Sequence, residues 1–507
     1  MFVLSDENKF IIGIDLGNLT STVSYFDFNQ RDISVVDISG GYGKFSVPTV
    51  VSYNVDSKDW IFGEYAILNR GFSNEIIIDN IIDNLSKNLI YSHKNEDITL
   101  ILVLSKFILF LIESIKNINP NANIEGIVIS TSSYVNSDYL KEAFKLAKIE
   151  HLLLKIANDK ECILKSYFYK NDILEDKIMV VDYGNREARA SVYQLEEEGK
   201  IACLKTCFNK DISQQRLFNI TKNLITKKFL EETGKTDLTE YEKNNLEAFI
   251  YQQFDIIFQR QVTSDIKLYY NFFYPPFQKL ITKQELFDII SFFENEINIF
   301  FNDLFKKLNI DENSIKNIIL TGGGIEIDFI HRFIKSKFNL EKNFKGICKR
   351  FVSDGACIIA CEELNVLPKN NMYIEDLEQI KFNIGIFIKK DNNVKFETFI
   401  YKNNFIWQSF EKKVFLLDKD KNINIDIGIE KNEEIKILDT ININLNEYIQ
   451  FKDRDIKTIR LLTYIEIKNI NEIVFIIEDF GFGELYSKTD FILKYNINID
   501  SKEKEVI

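Results

Sequence analysis

Three apolar segments of this chain each end in a turn that contains glycine: residues 13–17 (GIDLG), 180–184 (VVDYG) and 320–324 (LTGGG). The first two also place a carboxylate, Asp15 or Asp182, at the end of a predicted strand. Glycine turns allow backbone N–H groups to point at one anion, and carboxylates nearby can hold hydrated Mg²⁺. Taken singly, each Asp-x-Gly turn is common and is explained by turn chemistry. Together the three turns predict a site for a phosphate-bearing ligand.

Size and charge restrict the class of protein. A length of 507 residues exceeds what one hydrophobic core usually serves, so we expect two or three domains. The net charge of -13 argues against a nucleic acid or an anionic membrane as the main partner, because both bind basic surfaces. No signal peptide is visible, and the longest apolar tract, residues 100–115, contains two charged residues and is too short for a bilayer span. We therefore expect a cytoplasmic protein.

The six cysteines and three histidines show no spacing typical of a zinc site. Cys357 and Cys361 would lie one helical turn apart, where small buried thiols are commoner than metal ligands. A cysteine-based metal centre and Cys–His catalysis are both disfavoured.

The chain repeats one plan: strand, carboxylate turn, strand, then helices. In the first round we expect strands within 9–28, 32–39, 48–53 and 124–130, and helices at 76–117 and 138–148. In the second round we expect strands at 177–182, 190–195 and 318–321, and helices over most of 213–308, at 328–337 and at 353–364. Beyond residue 368, short alternating runs predict a separate all-β module of roughly 130 residues, the size of a β-sandwich.

These motifs resemble those of the 70 kDa heat shock protein (DnaK-type) chaperones, members of the actin-like ATPase superfamily, and the resemblance runs nearly end to end. Among the segments that carry it, six look like the first phosphate motif, the catalytic-lysine segment, the Asn-Glu-Pro-Thr element, the second phosphate motif, the adenine-packing helix and the adenosine motif. In that order they are residues 13–17, 86–90, 158–161, 182–184, 259–263 and 321–324.

The resemblance implies an α/β fold in which a two-lobed actin-like nucleotide-binding domain, a duplicated ribonuclease H-like unit, is followed by an all-β sandwich. We place the first domain at residues 1–367, with lobes of about 1–178 and 179–367. An interdomain linker would cover 368–380, and the substrate-binding-like sandwich 381–500.

The resemblance also implies a site for ATP or ADP with Mg²⁺. Asp15 and Asp182 match the family's metal positions, Lys87 its catalytic lysine, and Asp159 the acid that acts on the metal-bound water shell. These four are the expected catalytic residues. The residues matching nucleotide-contacting positions are Gly17, Asn18, Leu19, Gly184, Asn185, Arg186, Arg260, Thr263, Gly322, Gly323 and Gly324.

Several residues depart from the family pattern on the phosphate side. Asn18 and Leu19 replace two threonines, which removes hydroxyl groups. Glu187 replaces a hydroxyl residue, and Arg189 stands where the family has an aspartate of the metal shell. We therefore expect ATP hydrolysis to be slow or impaired.

Departures also occur beyond the nucleotide domain. Three carboxylates interrupt the linker tract 372–378, which we expect to weaken its burial. No helical lid follows the sandwich in this sequence, so we expect a lidless protein that exchanges peptide quickly.

The leading hypothesis is an ATP-dependent chaperone-like protein that binds unfolded or extended polypeptide on the β-sandwich. A J-domain co-chaperone and a nucleotide exchange factor are possible partners by the same resemblance. The alternative is a non-hydrolysing, nucleotide-sensing or scaffold pseudo-chaperone that acts through protein–protein interaction. A sugar or acetate kinase, or an actin-like filament, is disfavoured because the sandwich has no place in either.

Overall fold

The chain forms two compact units, Met1–Glu375 and Asp376–Ile507, in a computed structural model. It is a mixed α/β protein. The structure describes residues 8–498 except for 40–42, 71, 73, 86–88, 94–95, 132–136, 171–176, 197–199, 259–263, 272–275, 316, 339–349, 370–371, 377–379, 381, 391–392, 403–409, 411, 418–419, 432–433 and 470–471. No helix in this described part is long and apolar enough to cross a bilayer.

The first half of the first unit is built around one mixed sheet. Its elements are β1 Lys9–Leu16, β2 Thr20–Asp27, β3 Asp32–Val35, β4 Ser46–Pro48, β5 Val51–Asn54, β6 Trp60–Phe62, α1 Glu64–Leu68, β7 Glu75–Ile78, α2 Ile81–Asn84, β8 Ile90–His93, β9 Glu96–Thr99, α3 Leu100–Glu113, β10 Asn123–Thr131, α4 Ser137–Leu146, β11 Leu153–Asn158 and α5 Asp159–Lys170. The sheet order is β11-β10-β1-β2-β3, with β4 on β2. Central strand β1 runs parallel to β10 and antiparallel to β2.

The expected helical region over residues 76–117 is only partly confirmed. Helices α2 and α3 lie within it, but Ile76, Ile77 and Ile78 belong to strand β7, which pairs with β5. Strands β8 and β9, at residues 90–93 and 96–99, pair antiparallel. Helix α3 begins after Thr99, whose hydroxyl accepts from the Leu102 N–H at 3.3 Å. A run of β-branched residues is equally compatible with a buried strand and a buried helix, which explains the error.

The second half of the unit repeats the same sheet neighbours. Its elements are β12 Lys177–Tyr183, β13 Ala188–Leu195, β14 Lys200–Asn209, α6 Gln214–Thr233, α7 Glu240–Phe258, β15 Ile266–Tyr270, β16 Phe277–Ile281, α8 Lys283–Leu308, β17 Asn317–Thr321, α9 Asp328–Lys337, α10 Phe351–Glu363 and β18 Tyr373–Asp376. Strand β12 runs parallel to β17 and antiparallel to β13, as β1 does with β10 and β2. The expected helical stretch 213–308 is interrupted by the β15–β16 hairpin.

Helix α10 packs closely on the first sheet and on α5. A Cβ atom on Gly355 would lie 1.8 Å from the Cys162 carbonyl oxygen, so only glycine permits this approach of the two helices. Nearby, the Lys165 ammonium donates to both carboxylate oxygens of Glu362, at 2.8 and 2.7 Å, in a buried pair. The two helices therefore form a fixed layer beneath the strands.

The described part of the linker tract contributes an edge strand to the second sheet of the first unit. Strand β18 is the edge strand of the sheet ordered β17-β12-β13-β14-β18. Met372 and Ile374, two positions apart and so on one face, pack against the core that contains α10. Both side chains are only partly buried, so the expected effect of the carboxylates on the burial of this tract stays a prediction.

The second unit contains two four-stranded antiparallel sheets. Its elements are β19 Asn383–Lys390, β20 Asn393–Ile400, β21 Lys413–Leu416, β22 Asn422–Lys431, β23 Glu434–Asn444, α11 Ile449–Lys452, β24 Arg460–Asn469, β25 Glu472–Asp479 and β26 Ile492–Asn498. The sheet orders are β20-β19-β22-β23 and β21-β24-β25-β26. Buried residues of both sheets, such as Ile384, Ile427 and Phe475, share one core.

Candidate functional site

The carboxyl ends of the central strands of the first unit meet at one cavity of about 140 Å³. Asp15 lies near the end of β1, beside Ser130 of β10, and Asp182 lies near the end of β12, beside Thr321 of β17. Asp159 begins α5 directly after β11. The expected site residues that line this cavity are Asp15, Gly17, Asn18, Leu19, Asp159, Asp182, Gly184, Asn185, Arg186, Gly322 and Gly323.

Asp159 and Gly322 have defined local roles. The Ser130 hydroxyl donates to Asp159 Oδ1 at 2.8 Å and so fixes that carboxylate at the cavity wall. Gly322 has φ +88°, and a Cβ there would lie 2.5 Å from Asp182 Oδ1, so the turn after β17 requires glycine. The expected contact residue Gly324 is buried against Tyr183 and is absent from the lining of this cavity.

Lys87, Arg260 and Thr263, which the sequence also predicts for the site, lie outside the described residues. Their roles stay predictions.

The first phosphate-motif turn is held by a group that the sequence did not single out. Asn18 Nδ2 donates to Asn80 Oδ1 and to Asp83 Oδ2, each at 3.1 Å, and the Asp83 N–H donates back to Asn18 Oδ1 at 3.2 Å. Arg186 Nη1 donates to Asp83 Oδ1 at 3.3 Å. We call Asn18, Asp83 and Arg186 the Asp83 clasp, because Asp83 connects the two phosphate-motif turns.

A sequence signal for this clasp exists but is weak. Asn80 adopts a left-handed conformation, with φ 50° and ψ 37°, which Asn tolerates better than most residues. It therefore breaks the apolar run of residues 76–82, where a helix was expected. The signal is an Asp-Asn pair between two apolar runs, which is typical of a turn.

The second phosphate-motif turn is a tight hairpin. The Gly184 N–H donates to the Glu187 carbonyl at 3.0 Å. The N–H groups of Gln214 and Gln215, at the start of α6, donate to the carbonyls of Gly184 and Asn185 at 3.2 and 2.9 Å. The turn is therefore anchored to a helix N-terminus, which limits its freedom to rearrange.

Arg189 lies within the same cavity wall. It is directly opposite Asp182 in the β12–β13 register, and its Nη2 donates to Glu187 Oε1 at 2.9 Å. Burial by itself would lower the pKa of Arg189, but attraction to Asp182 and Glu187 outweighs it and raises the pKa, so the guanidinium stays charged. Its buried Nε–H has no acceptor among the described residues.

Burial and neighbouring charges also change the pKa of Asp182. Burial raises the pKa of Asp182 to about 6, with Arg189 opposing the shift and the charges of Asp159 and Glu187 adding to it. This carboxyl is therefore close to half-protonated in mildly acidic solution, unlike an ordinary aspartate.

A larger cavity of about 660 Å³ adjoins the first and shares Leu19, Thr20, Gln214 and Gly323 with it. Its volume is in the range of small-molecule sites. Tyr251, Phe254 and Phe258 of α7 supply an aromatic wall, and its polar lining includes Thr22, Lys44, Ser46, Glu64, Glu326 and Arg350. The two cavities together have a charged end at the strand ends and an aromatic end beneath α7.

The described residues do not provide a donor set suited to a metal ion. They include no group of three or more His, Cys, Asp or Glu arranged to hold one. A guanidinium, Arg189, stands next to Asp182, one of the two expected metal ligands. We therefore derive no step through Mg²⁺.

The fold and the cavities define a mixed α/β protein with a charged cavity at its strand ends. Residues 32–269 match a family of unknown function (DUF5716), C-terminal, and residues 379–499 match a domain of unknown function (DUF8552).

Curated relatives match most of the chain at low identity. Chaperone protein DnaK of Thermotoga petrophila is 23% identical over 445 residues, which cover 85% of this chain and 72% of the relative. Chaperone protein DnaK of Thermosipho melanesiensis is 23% identical over 453 residues, covering 86% and 73%. Chaperone protein HscA of Buchnera aphidicola subsp. Acyrthosiphon pisum is 23% identical over 497 residues, covering 90% and 74%. These similarities support the relation to 70 kDa heat shock chaperones that the motifs indicate.

Proposed function

We propose that this protein is a chaperone-like ATP- and ADP-binding protein that hydrolyses ATP slowly and holds extended polypeptide on its second unit. The observation that carries the proposal is the convergence of Asp15, Asp159, Asp182 and two glycine turns on one cavity beside a larger aromatic one. In this proposal the first unit is a two-lobed actin-like nucleotide domain, and the second is a β-sandwich substrate domain. The repeated sheet neighbours of β1 and β12 support the first assignment.

The nucleotide would lie across both cavities. Its base and ribose would occupy the larger cavity, where Tyr251 and Phe254 offer aromatic surface. Its phosphates would meet the glycine turns at the strand ends, where Arg186 and Arg189 offset the acidic side chains. Asp15, Asp159 and Asp182 would orient a water molecule for attack, and Lys87 would stabilise the terminal phosphate.

Slow hydrolysis follows from the phosphate side of the site. Asn18 is engaged by Asn80 and Asp83 and offers no hydroxyl to a terminal phosphate. The Asp83 carboxylate adds negative charge there, which opposes a transition state that spreads charge over phosphate oxygens. The same observations favour the alternative, a non-hydrolysing nucleotide sensor, if turnover is absent.

Thermal unfolding with and without nucleotide tests the nucleotide part of the proposal. A ligand of the native state raises the midpoint, so millimolar ATP and ADP should each stabilise the full chain. No shift with either nucleotide would favour a scaffold without a nucleotide.

A steady-state assay then separates the slow hydrolase from the sensor. We expect slow phosphate release that Asp182→Asn removes. Rapid turnover lost in Asp182→Asn would refute the interpretation of Asn18, Glu187 and Arg189, and binding without turnover would establish the sensor.

The polypeptide part requires its own experiment. A fluorescent, unstructured apolar peptide should bind the full chain and dissociate quickly, with an affinity that changes when ATP is added. A charged peptide of equal length is the control. Equal anisotropy for both peptides would contradict a polypeptide site. A J-domain co-chaperone, an exchange factor and a cytoplasmic location stay predictions.

A further inference from the structure

We propose that the Arg189 guanidinium takes the place of a divalent cation at the phosphate end of the site, so that nucleotide binds without a metal ion. The inference rests on the proposed nucleotide function. It assigns to Arg189 a binding role and to the site a ligand class: free nucleoside di- and triphosphates rather than their magnesium complexes.

The position of Arg189 is the first support. It sits opposite Asp182 on adjacent antiparallel strands, and such pairs hold their Cβ atoms about 4.5–5.5 Å apart. Glu187 holds one end of the guanidinium at 2.9 Å. The side chain is 13% exposed, so the cation is fixed within the cavity wall rather than free in solvent.

Charge is the second support. Four carboxylates, Asp15, Asp159, Asp182 and Glu187, line the smaller cavity and would repel a polyphosphate. A fixed guanidinium offsets part of this repulsion without leaving the site. A second cation placed beside it would be repelled, which lowers the affinity of the same cavity for Mg²⁺.

Hydrogen bonding is the third support. Arginine presents a planar set of donors that matches phosphate oxygens. Glu187 occupies Nη2, while the buried Nε–H has no acceptor among the described residues. Mg²⁺ instead requires near-octahedral oxygen ligands, and the described part of the chain holds no acidic group of three arranged for a metal.

Calorimetric titration of the full chain with ADP, in EDTA and in excess Mg²⁺, tests the proposal. The wild-type dissociation constants in the two buffers should agree within about threefold, which is less than one decade of affinity. Arg189→Asp restores a carboxylate and should lose at least about tenfold in EDTA, with much of that loss recovered in Mg²⁺.

Two further variants control for the charge change itself and for a failure of Arg189→Asp to fold. Arg332→Asp makes the same charge change at an exposed position of α9 and should behave as wild type in both buffers. Arg189→Gln, which removes the charge without adding one, replaces Arg189→Asp if that variant does not fold. The wild-type comparison needs no variant.

The outcomes separate the two proposals. Wild-type binding that requires Mg²⁺ would overturn the metal-independent site and leave the proposed function standing. No binding of ADP in either buffer would overturn both. Equal affinity of Arg189→Gln and wild type in EDTA would also overturn the role of Arg189.

Discussion

Asp182 lies near the end of β12 in a cavity that four other charged side chains line. They are Arg189 of β13, Glu187 of the turn, Asp159 of α5 and Asp15 of β1. Burial raises the pKa of Asp182 from the usual 3.8 to about 6, so the folded protein holds a proton that the unfolded chain releases. A native state that binds more protons loses stability as pH rises.

Asp182→Asn should therefore remove a pH-dependent stability contribution. The contribution is fully present below the ordinary aspartate pKa and is lost as pH rises to about 6. The unfolding free energy of wild type minus that of Asp182→Asn should fall by about 1 to 2 kcal/mol between pH 4 and pH 6.5, discounted for partial solvent exposure. Urea unfolding at several pH values measures this difference.

The control is Asn219→Ser at an exposed position of α6, which changes no titratable group and should give a constant difference from wild type. A wild-type minus Asp182→Asn difference that is flat or rises with pH would contradict the raised pKa.

Asp83 connects the two phosphate-motif turns, yet it also adds negative charge beside them. Asp83→Asn keeps a polar side chain of the same shape and removes that charge. We expect ADP and ATP affinity to rise about two- to fivefold at low salt, since one screened charge at this range is worth under about 1 kcal/mol.

Asp138→Asn removes the same charge from an exposed position of α4 and should leave the affinity unchanged. Calorimetric titration compares the two variants. Weaker binding in Asp83→Asn would mean that the clasp holds the turns in the form that binds nucleotide, and would contradict the charge argument.

At the scale of residues, the sequence predicts which side chains line the cavity more reliably than it predicts their roles there. Asp15 and Asp182 follow from the strand-and-turn pattern, and the structure brings them to one cavity. The sequence identifies Arg189 as a departure from the family pattern, but its position opposite Asp182 depends on the strand register. Asp83 could not be predicted, because it contacts Asn18 across 65 residues of chain.

At the scale of the elements, the close contact between α5 and α10 depends on one glycine. Gly355 sits in the interior of α10, where alanine would normally improve helix propensity by about 1 kcal/mol. Its added methyl group would instead lie 1.8 Å from the Cys162 carbonyl oxygen, a backbone atom that cannot turn aside. Gly355→Ala should destabilise the first unit by at least about 2 kcal/mol, since overpacking outweighs the gain in propensity.

Glu363→Ala is the matched control, because it adds an alanine to an exposed position of the same helix. It should change stability by less than about 0.5 kcal/mol. Chemical denaturation of the full chain measures both variants. If Gly355→Ala is as stable as wild type or more stable, the two helices can move apart at little cost in free energy.

The elements that the sequence predicts well are those whose ends carry strong turn signals. Strands β1, β12 and β17 end at glycine turns, and α9 was predicted with the bounds that the structure has. Predictions failed where an apolar run lacks such a signal. The sequence predicts helix where the structure has strands β7, β8, β9, β15 and β16, because isoleucine, leucine and phenylalanine suit either structure when buried.

At the scale of the whole molecule, each unit has its own hydrophobic core. In the second unit, Arg454 Nη1 donates to both carboxylate oxygens of Asp479, at 2.9 and 3.1 Å, in a fully buried pair. Arg454→Met would leave the Asp479 charge without its partner, which typically costs about 3 to 5 kcal/mol.

Arg454→Met should therefore lower the midpoint of the calorimetric unfolding transition of the second unit. The midpoint of the other transition, and its rise on adding ADP, should stay unchanged. Lys421→Met, which removes a partly exposed cation of the same unit, serves as the control and should have a smaller effect. Loss of both transitions in Arg454→Met would contradict separate stability of the two units.

The order of motifs along the chain predicted the relation to chaperones because it depends on spacing over hundreds of residues rather than on any single site. Low identity, 23% to the DnaK and HscA relatives, preserves such spacing while individual site residues change. For this reason the mixed α/β class could be predicted from the sequence, whereas the charge balance at the phosphate end required the structure.

Titration of the full chain with ADP by calorimetry, comparing wild type with Leu19→Glu, tests the nucleotide site most directly. Leu19 lines both cavities, so a carboxylate there should repel the phosphates and abolish the saturable binding seen with wild type. Leu68→Glu, the same change at an exposed position of α1, should bind as wild type does. Absence of binding by wild type, or unchanged binding by Leu19→Glu, would contradict a nucleotide site at these strand ends.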